Sequence, residues 1–242
     1  MQELKLDKRI KDILEIYSQK LQGIFKDNLI SVILYGSASS GEFVDKHSNL
    51  NLLVVLKNTD LTNLKGVSGL IRKFRFRMIK PLFFTEDYII NSTDTFPIEF
   101  MDMQENYAVL YGRDVLENIN IDMKNLKFQC EQELKAKLIH LRQRYLMLNK
   151  DATGLKDLLF KSFTSVIHIL RSTLKLKGRQ PPYLKANVLK EIALEFKINA
   201  DVWEKILAAK NRQIKLRPQD IEPLFFDFVR DLEKITEAVD AL

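Results

Sequence analysis

Cysteine, tryptophan and histidine are nearly missing from this chain of 242 residues, which has one Cys, one Trp and three His. A single cysteine, Cys130, excludes an internal disulfide framework and any cysteine-built zinc site, and it suits a reducing compartment. His140 and His168 fall in separate segments without partners at metal-ligand spacing, so no zinc site is expected. Eight Gly and six Pro are too few for a low-complexity or collagen-like chain. Long apolar runs are absent too. The longest, Leu52 to Leu56, falls far short of the ~18 residues that cross a bilayer and fits a buried strand. The opening MQELKLDKRIKDILEIY is charged and amphipathic, without the apolar core of a signal peptide. A cytoplasmic protein with no membrane partner is the expectation.

What is present is an ordinary globular balance, 46% apolar and 29% charged, which excludes wholesale disorder. The net charge of +6 is unevenly spread. Residues 1–120 hold 15 Lys/Arg against 16 Asp/Glu, whereas residues 124–190 hold 15 against 4. The positive field therefore sits in one segment, as a solvated helix face or as a surface for RNA or another anionic partner.

The apolar positions Leu6, Ile10, Ile13, Leu14, Tyr17, Leu21 and Ile24 have the spacing of a one-sided helix. Leu29 to Tyr35 reads as a short buried strand closed by Gly36. Leu50 to Leu56 is almost entirely apolar and reads as a central strand covered on both faces. Residues 61–77 are expected to be helical, with Leu61, Leu64, Val67, Leu70, Ile71 and Phe74 on one face. The basic and aromatic run RKFRFR ends that helix, with Phe74 in the core or, as the alternative, Arg72, Lys73, Arg75 and Arg77 towards nucleic acid. MIKPLFF at 78–84 reads as a strand that Pro81 assigns to an edge or a bulge. A short helix is expected after Thr85, and Pro97 is expected to open a last strand, IEFMDM.

Beyond residue 122 the pattern is helical throughout. Leu126, Cys130, Leu134, Leu138, Leu141, Tyr145 and Leu148 form one stripe, with Cys130 as a core residue. A helix at 155–176 ends at Gly178, and further helices are expected near 184–196, 200–212 and 219–241. The fold class expected is α+β: a small α/β domain with a mixed sheet over residues 1–122, then an all-α bundle over 123–242.

One stretch points to chemistry. In LYGSASSGEFVDKHSNLNLLVVL, Leu34 to Leu56, a strand ends in Gly36-Ser37, an eleven-residue loop follows, and a strand opens with Asn49-Leu50-Asn51. This resembles the signature of the DNA polymerase β-like nucleotidyltransferase superfamily, hG[GS] followed some ten residues on by [DE]h[DE]h. The resemblance implies a Gly36-Ser37 turn that approaches the triphosphate of a nucleotide, and two acids on one strand face that bind Mg²⁺. A third acid on a later strand completes the family's two-metal site. PIEFMDM offers Glu99 for it, with Asp102, three residues on, facing the other way. The helical half is similar to the substrate-binding bundle of kanamycin-type and minimal nucleotidyltransferases.

Where the pattern has two carboxylates, this chain has Asn49 and Asn51, whose amides are neutral. Glu99 is then the metal candidate that remains, with Asp45 or Glu42 from the loop, while His47 in the same loop reads as a solvent-exposed histidine or, as the alternative, a phosphate contact. The leading reading is a nucleotidyltransferase-like protein with an impaired metal site, serving as a nucleotide-binding or interaction module. Two others stand beside it. One is an active Mg²⁺-dependent enzyme transferring a nucleoside monophosphate from a nucleoside triphosphate to a small molecule, RNA or protein. The other is a nucleic-acid-binding scaffold that uses residues 124–190.

Overall fold

The computed structural model describes residues 6–40, 49–74, 79–148, 151–182 and 185–242. The chain divides into two compact units, Met1–Asp122 and Met123–Leu242.

The first unit runs through helix α1 (Lys8–Phe25), strand β1 (Leu29–Tyr35), one-turn helix α2 (Ser37–Ser40) and strand β2 (Leu50–Leu56). Helices α3 (Leu61–Lys65) and α4 (Ser68–Phe74) lead to strand β3 (Ile79–Thr85). Helices α5 (Glu86–Asn91) and α6 (Pro97–Glu105) then lead to strand β4 (Tyr107–Gly112). The four strands form one sheet in the order β3-β2-β1-β4. β1 pairs antiparallel with both β2 and β4, while β2 pairs parallel with β3. The sheet is therefore mixed. The parallel pair follows from the connection, because a helical crossover returns the chain beside β2 in the same direction.

Because side chains alternate along a strand, β1 and β2 feed two separate cores. Val32, Leu34, Leu50, Leu52, Val54 and Leu56 meet the buried stripe of α1, including Leu14, Tyr17 and Leu21. Ile33, Leu53 and Val55 meet Ile89 of α5, Phe100 and Met103 of α6, and Val115 and Leu116. This two-sided burial explains why both strands are nearly continuous apolar runs. Pro81 lies in β3, an edge strand, where its missing N–H does least harm.

Two expectations need correction. Residues 97–105 are helix, not strand: Pro97 occupies the first turn of α6, where its fixed φ is suited and its absent N–H is not needed. The fourth strand is YAVLYG at 107–112 instead. The helix expected over 61–77 is two helices, α3 and α4, interrupted at Gly66 and Val67, with Leu61 84% exposed. Phe74 is buried against Tyr17, with ring centroids 5.3 Å apart, whereas Arg72 and Lys73 are exposed in the last turn of α4. Arg75 and Arg77 lie outside the described residues.

Among the described residues the second unit has five helices: α7 (Met123–Leu148), α8 (Ala152–Leu176), α9 (Lys185–Phe196), α10 (Ala200–Lys210) and α11 (Pro218–Asp240). Leu126, Cys130, Leu134, Leu138 and Leu141 of α7 are buried as a stripe. Asp151 and Asn199 cap α8 and α10 by accepting from the N–H of Thr153 and Asp201. α8 ends in a turn at Gly178, where the Arg179 N–H donates to the Leu174 carbonyl. Trp203 is fully buried between Phe163 and Phe228, and its Nε1–H donates to Asp231 at 3.1 Å.

Candidate functional site

The site is built where β1 stops. Gly36 follows Tyr35 with φ +79°, a left-handed conformation that glycine adopts without strain. Its N–H donates to the Asn106 carbonyl at 3.1 Å, and its own carbonyl accepts from the Ser39 N–H at 3.0 Å and from Ser39 Oγ at 2.7 Å. Ser39 Oγ also reaches the Asn106 carbonyl, so one hydroxyl ties the turn to the start of β4. Ala38 is fully buried and seats α2 against the sheet. Ser37, between Gly36 and Ala38, is left half-exposed at the rim.

Asn51, the second residue of β2, stands opposite Tyr35 of β1. Its Nδ2 lies 3.3 Å from the point a Cβ on Gly36 would occupy. The turn and the second motif strand are thus packed together, and the missing side chain of Gly36 makes room for the amide. Asn49 lies just before β2 and is exposed. On the other side of Asn51, its parallel partner is Lys80 of β3. Residues in register share a sheet face, so Lys80, Asn51, Tyr35 and Tyr107 form one row. Burial pushes the Tyr35 phenol up to about 12. The Tyr107 phenol also stands at about 12, through burial first and then its hydrogen bond to Asp114 at 2.8 Å.

Glu99 is not in that row. It is exposed in the first turn of α6, a position favoured for a carboxylate by the helix dipole. Asp102 lies on the same helix. The later strand that pairs with β2 is β3, and the residue it sets against Asn51 is a lysine. Glu42, Asp45 and His47 lie outside the described residues. Among the described residues no group of three His, Cys, Asp or Glu side chains is placed to hold a metal ion. Sequence reasoning missed Ser39 and Lys80. The crossover between the strands at 50–56 and 79–85 was the signal for Lys80, since it makes them parallel neighbours.

Superposed on solved structures, the chain matches the spectinomycin adenyltransferase AAD(9) from Enterococcus faecialis, solved with ATP and spectinomycin. The TM-score is 0.62 over 93% of this chain and 99% of that one, at 13% identity. The fold is a nucleotidyltransferase fold. Among curated proteins, the chain is 29% identical over 132 residues to a Methanocaldococcus jannaschii protein named as a candidate protein adenylyltransferase. That match covers half of this chain and 88% of the relative. No family model matches the sequence.

Part of the basic segment of this nucleotidyltransferase fold is paired within the bundle. Arg142 pairs with Glu233 at 2.8 Å, and Lys135 pairs with Glu131 and with Asp240 at 3.3 Å. Lys177 and Arg179 both approach Glu195. The acidic α11 thus answers the basic α7. His140 and His168 are exposed on α7 and α8. Among the described residues, no helix is long and apolar enough to cross a membrane.

Proposed function

We propose that this protein is a nucleotidyltransferase-like protein that binds a nucleoside triphosphate by its phosphates at the Gly36-Ser37 turn. It acts as a nucleotide-binding or interaction module whose metal centre is impaired. The observation that carries the reading is the left-handed Gly36 turn with the Asn51 amide packed against it, on a sheet whose fold matches an adenyltransferase solved with ATP. Backbone at a glycine turn approaches a phosphate closely because no Cβ intervenes. The neutral pair Asn49 and Asn51, in place of two acids, supports the loss of ordinary two-metal transfer.

Ser37→Asp sets a carboxylate against the phosphates and should abolish ATP binding in a calorimetric titration while leaving the melting temperature near that of the parent. An unchanged affinity overturns the assignment. The names of the two similar proteins favour a second reading, an active adenylyltransferase acting on a protein or a small molecule. Transfer of label from α-³²P-ATP to an acceptor by the unmodified protein would establish that reading in place of the first.

A further inference from the structure

The row of side chains that crosses the sheet at Asn51 has an unusual sign. Lys80 and Asn51 are Cα partners on adjacent strands, spaced about 4.8 Å apart in the hydrogen-bonding direction. Lys80 is exposed and pairs with no carboxylate among the described residues. Asn51 directs its amide nitrogen, a donor, towards the Gly36 turn. Tyr35, next along, keeps its phenolic proton at any physiological pH, and the Tyr107 hydroxyl is turned to Asp114. Along Lys80, Asn51 and Tyr35 the row thus offers an ammonium, an amide and a phenol, with no carboxylate.

The fold family implies Mg²⁺ at this place. Mg²⁺ requires oxygen ligands in octahedral array and is ordinarily held by one or two carboxylates together with phosphates and water. Here a donor nitrogen faces the turn, and a fixed positive charge stands on the neighbouring strand, where it repels a cation. The described residues of this row do not fit the metal. They fit the anion the metal would have escorted, because an ammonium and an amide N–H both donate to phosphate oxygens, and charge-assisted bonds of this kind are the stronger sort.

We infer that Lys80 replaces the metal, so that the site takes the phosphate chain of a nucleoside triphosphate as a metal-free anion, with Lys80 and Asn51 as donors beside the Gly36-Ser37 turn. This rests on the reading of the turn as a nucleotide site. It adds that Mg²⁺ is a competitor of Lys80 for the same phosphate oxygens and not a partner. A nucleotide already carrying Mg²⁺ has lost part of the charge that Lys80 attracts and therefore binds less tightly.

The test is a calorimetric titration of the full chain with ATP, once in EDTA and once in millimolar Mg²⁺, for the parent and for Lys80→Glu. Lys80 is exposed on an edge strand, so the variant should fold; Lys80→Gln replaces it if the melting temperature drops. The parent should bind ATP more tightly in EDTA than in Mg²⁺, and the Lys80 variant should weaken the EDTA value about tenfold or more, as loss of a charge-assisted contact does. ATP binding that is no tighter in EDTA than in Mg²⁺, or that is indifferent to Lys80, overturns the inference and leaves the nucleotide reading intact. Absence of ATP binding in both buffers overturns that reading and this inference together.

Discussion

Asn51 and Asp231 show how differently single polar side chains are treated in the two units. Asn51 sits at the edge of a core, its amide against a glycine that gives it room. Asp231 is 3% exposed, accepts one hydrogen bond from Trp203, and burial pushes its carboxyl above the ordinary carboxylate value of 3.8. A raised folded-state value means that the folded chain holds its proton more tightly than the unfolded one. The fold therefore gains stability from this group as pH falls through the raised value towards 3.8, and the contribution is unfavourable at neutral pH. Asn at 231 keeps an acceptor for Trp203 without the charge. Asp231→Asn should accordingly melt higher than the parent at pH 7, and the gap should close as the pH approaches 4. A gap that is constant with pH would mean that Asp231 is not charged against its surroundings.

Among the elements, β4 was the hardest to see, and it ends at a position that admits no side chain. Gly112 ends it with φ +80°, and a Cβ there would be driven into the Ile30 carbonyl of the neighbouring strand. Gly112→Ala combines left-handed strain with that clash and should lower stability by roughly 3 kcal/mol in urea unfolding. A loss below 1 kcal/mol would show that the β1–β4 ladder yields easily. In the sequence, β1 and β2 were legible to the residue because burial on both faces leaves a nearly continuous apolar run. β4 has no such run, since all six of its residues are half-buried or exposed. Pro97 was ambiguous in a different way: proline suits the first turn of a helix as well as the start of an edge strand, and only packing of Ile98, Phe100 and Met103 decides between them. The misreading carried Glu99 with it. The Gly36-Ser37 turn and its partner Asn51 were legible because they are local, whereas Lys80 enters only through the pairing of two strands.

At the scale of the whole molecule, each unit has a core of its own, so residues 123–242 expressed alone should be strongly helical by circular dichroism and melt in one cooperative transition. A helical but non-cooperative melt would show that the bundle needs the first unit to pack. The charge asymmetry read from the sequence is also smaller in the folded bundle, because the acids of α11 lie on the basic α7; exposed pairs of this kind add little stability, but they remove positive charge that an outside polyanion would need. The open edge of the sheet has a consequence beyond ligand binding. A strand with one unpaired side is a template on which a second copy of the chain can lay its own strand, and crowding makes such encounters frequent. In β3 the lysine and the proline that follows it stand against this, one by desolvation and the other by its missing N–H. An apolar replacement at position 80 would thus remove a guard against aggregation together with a charge, and a loss of ATP binding measured on such a variant would conflate the two. Glutamate or glutamine keeps the edge guarded, so the phosphate question can be asked of a protein that stays in solution.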